Sequence, residues 1–106
     1  MENIDALLPV AMQFGLQLND KDYVAARLLL ATKINELVLK DFDRLLGILY
    51  RIDVSEKRIT DLLKAFPKQD AGLLIADLMI EREVEKIKSR EIFTNRDQDF
   101  DEEEKW

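Results

Sequence analysis

The stretch DAGLLIADLMIEREVEKIKSREIF, residues 70–93, decides the fold of this chain. A single helical pattern runs through it, and its first half is almost wholly apolar while its second half is dense in charge. A helix with that gradient is buried at one end and projects into water at the other. Asp70 stands before it as an N-cap, so the sequence predicts one long helix from Asp70 to Phe93.

The rest of the chain has the composition of a single helical domain. A chain of 106 residues with 47% hydrophobic content is long enough for one core and too short for two ordinary domains. Alternating β-branched runs and Asn-Gly or Asp-Gly turns are missing, and there are only three glycines. We therefore expect an all-α fold, an irregular bundle of four to five helices over residues 1–93.

The absence of cysteine and histidine excludes several classes of protein. Because the chain has neither residue, disulfide frameworks, ordinary zinc sites, haem held by histidine and Ser-His-Asp or Cys-His catalytic groups all lack an essential member. We expect no cofactor. The N-terminus lacks a basic start, and the apolar runs are shorter than the ~20 residues that span a bilayer. The sequence therefore predicts a cytoplasmic protein without a membrane segment.

Negative charge is concentrated at the C-terminal end. The net charge of the chain is −6, and residues 94–106 (TNRDQDFDEEEKW) hold six acidic residues against two basic ones. Such an aperiodic acidic run has too little apolar area to offset the entropy lost on ordering, so we expect a disordered tail. A tail that binds a basic partner stays open as the alternative, because Phe100 and Trp106 are aromatic anchors of the kind that interfaces use.

Four further helices are predicted before the long one. Their ranges are Asn3–Leu18 with a kink or restart at Pro9, Lys21–Lys40 capped by Asp20, Arg44–Arg51, and Glu56–Ala65 capped by Ser55 with Val54 and Ile59 as a hydrophobic staple. Gly47 in the third helix costs roughly 1 kcal/mol relative to alanine. We therefore expect a close contact with another helix at Gly47 as the compensation.

Two polar residues fall inside the apolar arc of the second helix. That arc is widened by Val24 and Leu28, and it contains Arg27 and Asn35. Since burying an unpaired polar group is costly, we expect Arg27 to pair with a carboxylate or carbonyl and Asn35 with neighbouring backbone; ligand binding is the alternative. Asp77 similarly interrupts the long helix, so Arg27 and Asp77 form a candidate buried pair. Alternatively, Asp77 lies at the edge of the apolar side of the long helix and reaches water.

Several short segments stand out in the second half of the chain: Asp41-Phe42, LYRIDVSE (residues 49–56), and ADLMIERE followed by EKIKSR (residues 76–90). In this combination the chain resembles a group of small, all-helical bacterial proteins with no assigned activity. The resemblance covers about half of the chain, from Asp41 to Phe93. It implies a bacterial origin and carries no mechanism with it.

Carboxylates are the one catalytic chemistry that stays open. The alternative function is a phosphohydrolase that holds Mg²⁺ or Mn²⁺ with acidic residues alone. Asp77, Glu81 and Glu85 lie along one side of the long helix, but Lys88 lies on the same side. No Glu-Glu-x-x-Glu segment that could supply further metal ligands is present in another helix. We therefore assign no catalytic, cofactor-binding or metal-binding residue. Convergence of three or more of these residues would support the enzyme: Asp41, Asp43, Asp53, Glu56, Asp77, Glu81 and Glu85.

The function predicted by exclusion is a non-catalytic protein–protein interaction or adaptor module. The helix that would enter a DNA groove begins with hydrocarbon over Ala71 to Ile75, where a recognition helix needs polar side chains, so no nucleic acid partner is expected. The long helix is apolar on more than one side, which favours another protein, or a second copy in a homodimer, as its cover. The predicted interaction surface is Ile75, Leu78, Met79, Arg82, Lys86 and Arg90.

Overall fold

The computed structural model of the protein has five α-helices in the residues that it describes. The structure describes residues 4–17 and 22–104, with side chains described as far as residue 92. The helices are α1 (Ile4–Gln13), α2 (Tyr23–Lys40), α3 (Phe42–Ile52), α4 (Glu56–Ala65) and α5 (Ala71–Glu104). Helices are the only regular elements in these residues, so the predicted all-α bundle is confirmed.

The first half of α5 lies at the centre of the bundle. Ala76 and Met79 are completely enclosed, and Ile75 and Ile80 are nearly so. All four other helices pack against α5. The core is completed by Phe14, which follows the end of α1, and by large apolar side chains from the other helices, chiefly Leu7, Val10, Leu30, Ile34, Leu45, Ile48 and Ile52.

Two of the predicted caps start their helices as expected. The hydroxyl oxygen of Ser55 accepts a hydrogen bond from the backbone amide of Arg58 at 3.4 Å, and α4 has the predicted bounds. Oδ1 of Asp70 accepts from the amide of Leu73 at 3.1 Å at the start of α5. Both caps satisfy an amide that has no partner within its helix.

Two other helix starts differ from the prediction. α2 begins at Tyr23, because Asp22 accepts a hydrogen bond from the amide of Ala25 at 3.1 Å; the predicted cap Asp20 and start Lys21 lie outside the described residues. α3 begins two residues early, at Phe42, because Asp41 caps it through the amide of Arg44 at 3.2 Å. In each case the carboxylate nearest to the helix serves as the cap.

The first helix is shorter than predicted because a glycine ends it. α1 stops at Gln13, and Gly15 adopts a left-handed backbone with φ of 74°. The amide of Leu16 then bonds back to the carbonyl of Ala11 at 3.1 Å, which is typical of a glycine-terminated helix. Pro9 lies inside α1, and no second helix begins there.

α5 approaches α2 closely at Gly72, and the predicted close contact at Gly47 is wrong. A Cβ added to Gly72 would lie 2.3 Å from the carbonyl oxygen of Ala31 and 2.7 Å from the side chain of Asn35. The same addition at Gly47 would meet nothing within 4 Å, since that side of α3 faces solvent. The missing side chain of Gly72 is therefore what lets α5 approach α2.

Replacing each of these glycines with alanine should change stability in opposite directions. Gly72→Ala should lower the free energy of unfolding by about 1–3 kcal/mol, as overpacking usually does. Gly47→Ala should raise it by about 0.5–1 kcal/mol, because alanine is the better helix former. Urea unfolding followed by circular dichroism measures both. Equal stability of the two variants would contradict the close approach at Gly72.

The backbone of α5 is helical as far as Glu104, past the predicted end at Phe93. Its side chains beyond Ile92, and all of residues 105–106, lie outside the described part, so the disordered acidic tail over residues 94–106 stays a prediction. One physical argument supports it. The last turn of α5 holds acids and no base, and negative charge is unfavourable at the C-terminal end of a helix dipole.

Amide hydrogen exchange tests the predicted tail. We expect strong protection over residues 75–84, which pack in the core, and opening free energies near zero over residues 94–104. The double variant Glu102→Lys with Glu103→Lys should slow exchange there, because cations stabilise the C-terminal end of a helix. Equal protection of the two segments in the natural sequence would show that the tail is ordered.

Candidate interaction surfaces

The apolar part of the surface predicted on α5 is buried. Ile75, Leu78 and Met79 are 4%, 7% and 0% exposed, respectively. None of the three is therefore an exposed surface residue of the single chain, as was predicted, although Ile75 lines a cavity between α3 and α4. The first half of α5 therefore gives no support to a homodimer, since the domain covers these side chains by itself.

The basic residues of the predicted surface, Arg82, Lys86 and Arg90, lie farther along α5. Arg82 donates to Oδ2 of Asp53 at 3.0 Å and to Glu85 at 3.1 Å, and its hydrogen bond with Asp53 raises the pKa of the guanidinium above its ordinary value. Arg90 lies 3.6 Å from Glu83. Arg82 and Arg90 thus have partners within the domain. Lys86 forms no ion pair with the side chains that the structure describes, and a role for these cations in binding stays a prediction.

Arg27 and Asp77 form a salt bridge that ties α2 to α5. Nε and Nη2 of Arg27 donate to the two carboxylate oxygens of Asp77, both at 2.7 Å. The expectation that this pair is buried is wrong, because the two side chains are 31% and 47% exposed. The hydrogen bond with Asp77 raises the pKa of Arg27. Since water screens the pair, it contributes only about 0.5–1 kcal/mol, and its role is to orient the two helices.

Asn35 bonds a side chain and not the neighbouring backbone that was predicted. Its Nδ2 donates to Oδ1 of Asp70 at 2.9 Å, and the same oxygen accepts from the amide of Leu73. The hydrogen bond from Asn35, followed by that from Leu73, lowers the pKa of Asp70 below its ordinary 3.8. This contact lies beside Gly72, so Asp70 caps α5 and fastens it to α2 with one oxygen. Asn35 thus has a structural role.

The variant Asp70→Asn tests the charge of this cap. Asparagine caps about as well as aspartate, so the variant should fold while losing the titrating group. Because the pKa of folded Asp70 is depressed below 3.8, its ionised form stabilises the protein above that pH, and the contribution is lost as the pH falls through the folded value. The natural protein should therefore lose more stability than the variant between about pH 4 and pH 2.

Urea midpoints of the natural protein and of Asp70→Asn, each taken at neutral pH and through this acid range, supply the measurement. A stability difference that stays constant with pH would mean that the ionisation of Asp70 contributes nothing.

The acids considered for a metal site do not converge. Among the residues described, no group of three or more carboxylates is placed to hold a metal ion. Asp77, Glu81 and Glu85 pair instead with three different arginines. Asp41 and Asp53 lie at the two ends of α3 as its caps. The convergence of three or more carboxylates that would support the phosphohydrolase alternative is thus not found in this part of the chain.

Sequence reasoning missed an apolar surface on the solvent side of α2. Val24, Leu28, Leu29 and Leu39 are 57%, 50%, 55% and 85% exposed, and together they are termed the α2 outer face. Thr32 lies on the same side, and its hydroxyl donates to the carbonyl of Leu28 at 2.8 Å, which directs its polar hydrogen into the helix. The helical wheel placed Val24 and Leu28 on a widened core face. The sequence does carry one sign of the α2 outer face, because apolar residues lie on almost every side of α2.

A second apolar feature is a cavity of about 330 Å³, termed the α3–α4 groove. It is open on the side of α3 and α4 and is closed beneath by the core, and its volume is typical of ligand sites. Thr60 and Glu56 are the two polar residues among those that line it. The lining includes the buried floor residues Leu45, Leu49, Ile59 and Ile75, and the partly exposed rim residues Leu46 and Leu63.

Comparison of the chain with protein families, with curated proteins and with solved structures found no match. The resemblance to small bacterial proteins therefore stays a prediction, as do the bacterial origin, the cytoplasmic location and the absence of a nucleic acid partner. In the part of the chain that the structure describes, no helix combines the length and the apolar character needed to cross a membrane. The α2 outer face and the α3–α4 groove are therefore the features that bear on function.

Proposed function

We propose that this protein is a non-catalytic interaction module that associates with a second copy of itself through the α2 outer face. One observation carries the proposal: α2, a helix of 18 residues, has apolar side chains in the core and also on its solvent side. A helix that is apolar all round is typically covered by another subunit when its own domain leaves one side open. The described residues of this chain leave the α2 outer face open.

The size of the α2 outer face supports a weak, reversible contact. Its four side chains present roughly 400 Å² of hydrocarbon, which is within the range of the largest apolar patch on a typical monomer, a patch that is often functional. A standard interface buries about 800 Å² on each partner. Covering these side chains completely would contribute about 10 kcal/mol for each copy, or about 20 kcal/mol for two copies, as an upper limit, and association costs roughly 4–15 kcal/mol. Because the patch is only about half the size of a standard interface, we expect a weak contact with dissociation constants in the micromolar to millimolar range.

The distribution of charge favours a second copy as the partner. A two-fold contact places a patch against itself, so a charged patch would be repelled by its own copy. The residues of the α2 outer face are uncharged, and the nearby Arg27 is turned towards Asp77. Glu36 lies 3.6 Å from Lys33 on the same helix. A partner selected by its charge would find few groups to pair with here.

Sedimentation across a wide concentration range tests the proposed dimer. The natural protein should show a rising average mass between micromolar and millimolar concentration. Leu39→Glu should raise the dissociation constant by about 10-fold or more, because each copy would bring an unpaired carboxylate into an apolar contact. Leu39 is 85% exposed, so the substitution should leave the monomer folded.

Met12→Glu is the matched control for this experiment. Met12 is 71% exposed on α1, and its substitution makes the same change in net charge away from α2. It should leave the dissociation constant unchanged. A protein that stays monomeric at millimolar concentration, or that responds equally to both substitutions, would rule out the α2 contact.

A further inference from the structure

The α3–α4 groove has the chemistry of a binding site for hydrocarbon. At the usual ~30 Å³ for each molecule, its 330 Å³ holds about ten waters. Among the side chains that line it, only Thr60 and Glu56 offer those waters a hydrogen-bonding group. Replacing poorly bonded water with apolar groups is favourable. The floor of the groove therefore favours a ligand with large aliphatic side chains.

The rim of the groove indicates the shape of that ligand. α3 contributes Phe42 and Leu46, and α4 contributes Leu63. Phe42 is 52% exposed, and the other two are partly exposed. Apolar side chains on two neighbouring helices make a cleft, and an amphipathic helix fills such a cleft with residues at i, i+3, i+4 and i+7.

The carboxylate of Glu56 favours a ligand that carries a positive charge. It is the one charged residue that lines the groove, and it has no hydrogen bond or ion pair with the described residues. Glu56 lies in the first turn of α4, where a negative charge interacts favourably with the helix dipole. A ligand that covers this carboxylate without a cation would leave it desolvated and unpaired, which is costly. An acidic segment, such as residues 94–106 of this chain, would add like-charge repulsion.

We propose that the α3–α4 groove binds an amphipathic helix of another protein, which places aliphatic side chains on the groove floor and a lysine or arginine against Glu56. This inference goes beyond association through the α2 outer face and does not depend on it, because the two surfaces use different residues. Together they would make the protein a bivalent adaptor, in which a dimer presents two grooves to one partner.

A pair of synthetic peptides provides the probe. The first is a helical peptide with blocked ends, leucines at i, i+3, i+4 and i+7, and one lysine beside the leucine face; the second has glutamine in place of the lysine. Each is titrated into the isotope-labelled full chain and followed by NMR. Both should shift the amides of Leu46, Thr60 and Leu63, and the lysine peptide should bind more tightly.

Two charge variants separate a specific ion pair from general attraction to an acidic protein. Glu56→Gln should weaken binding of the lysine peptide by about 3- to 10-fold and leave the glutamine peptide unchanged. Glu91→Gln makes the same change in net charge on an exposed position of α5 and should alter neither affinity. Leu46→Glu, checked for folding by circular dichroism, should abolish binding of both peptides.

Three results would overturn the proposal. The first is that neither peptide binds the natural protein. The second is that the shifted amides lie away from the groove. The third is that Glu56→Gln changes the affinity for both peptides equally, or that Glu91→Gln weakens binding of the lysine peptide as much as Glu56→Gln does. In either case Glu56 would not be the group that binds the lysine.

Discussion

The close approach of α5 to α2 is the constraint on which the rest of the structure depends. At Gly72 the helices are so near that a methyl group would collide with the carbonyl oxygen of Ala31. Two polar contacts hold this position: Asn35 with Asp70, and Arg27 with Asp77. Because Asp70 is also the N-cap of α5, the residue that starts the helix also fastens it to α2. This arrangement places the apolar start of α5 in the centre, where the other helices cover it.

The same arrangement determines which hydrocarbon stays exposed. α2 uses one side against the core and leaves Val24, Leu28, Leu29 and Leu39 towards solvent. α3 and α4 each bury a single side, and a cleft stays open between them. The hydrophobic content of 47% is ordinary for a globular protein, so what distinguishes this fold is where its helices leave hydrocarbon exposed. The grouping of that hydrocarbon on α2 and beside the cleft links the fold to the proposed interaction role.

The accuracy of prediction differed between local and long-range features. The caps at Ser55 and Asp70 were predictable because capping depends on residues three apart in the sequence. The two helical glycines were not distinguishable, since both interrupt an apolar helical pattern. Only the packing shows that Gly72 faces another helix and that Gly47 faces solvent. The interaction surface failed for the same reason: a helical wheel gives the apolar directions around α5 and α2, and it does not show which of them the other helices cover.

The sequence by itself determined the helical class, the residues that cap α4 and α5, and the absence of any chemistry that needs cysteine or histidine. It also suggested that Arg27 and Asp77 would find each other, because each interrupts an otherwise apolar side of its helix. Only the tertiary structure decided that this pair reaches water, that Ile75, Leu78 and Met79 are covered, and that the α2 outer face is not. The physical reason is that periodicity gives the direction of a side chain around its own helix axis, whereas burial depends on which other helix occupies the space in that direction.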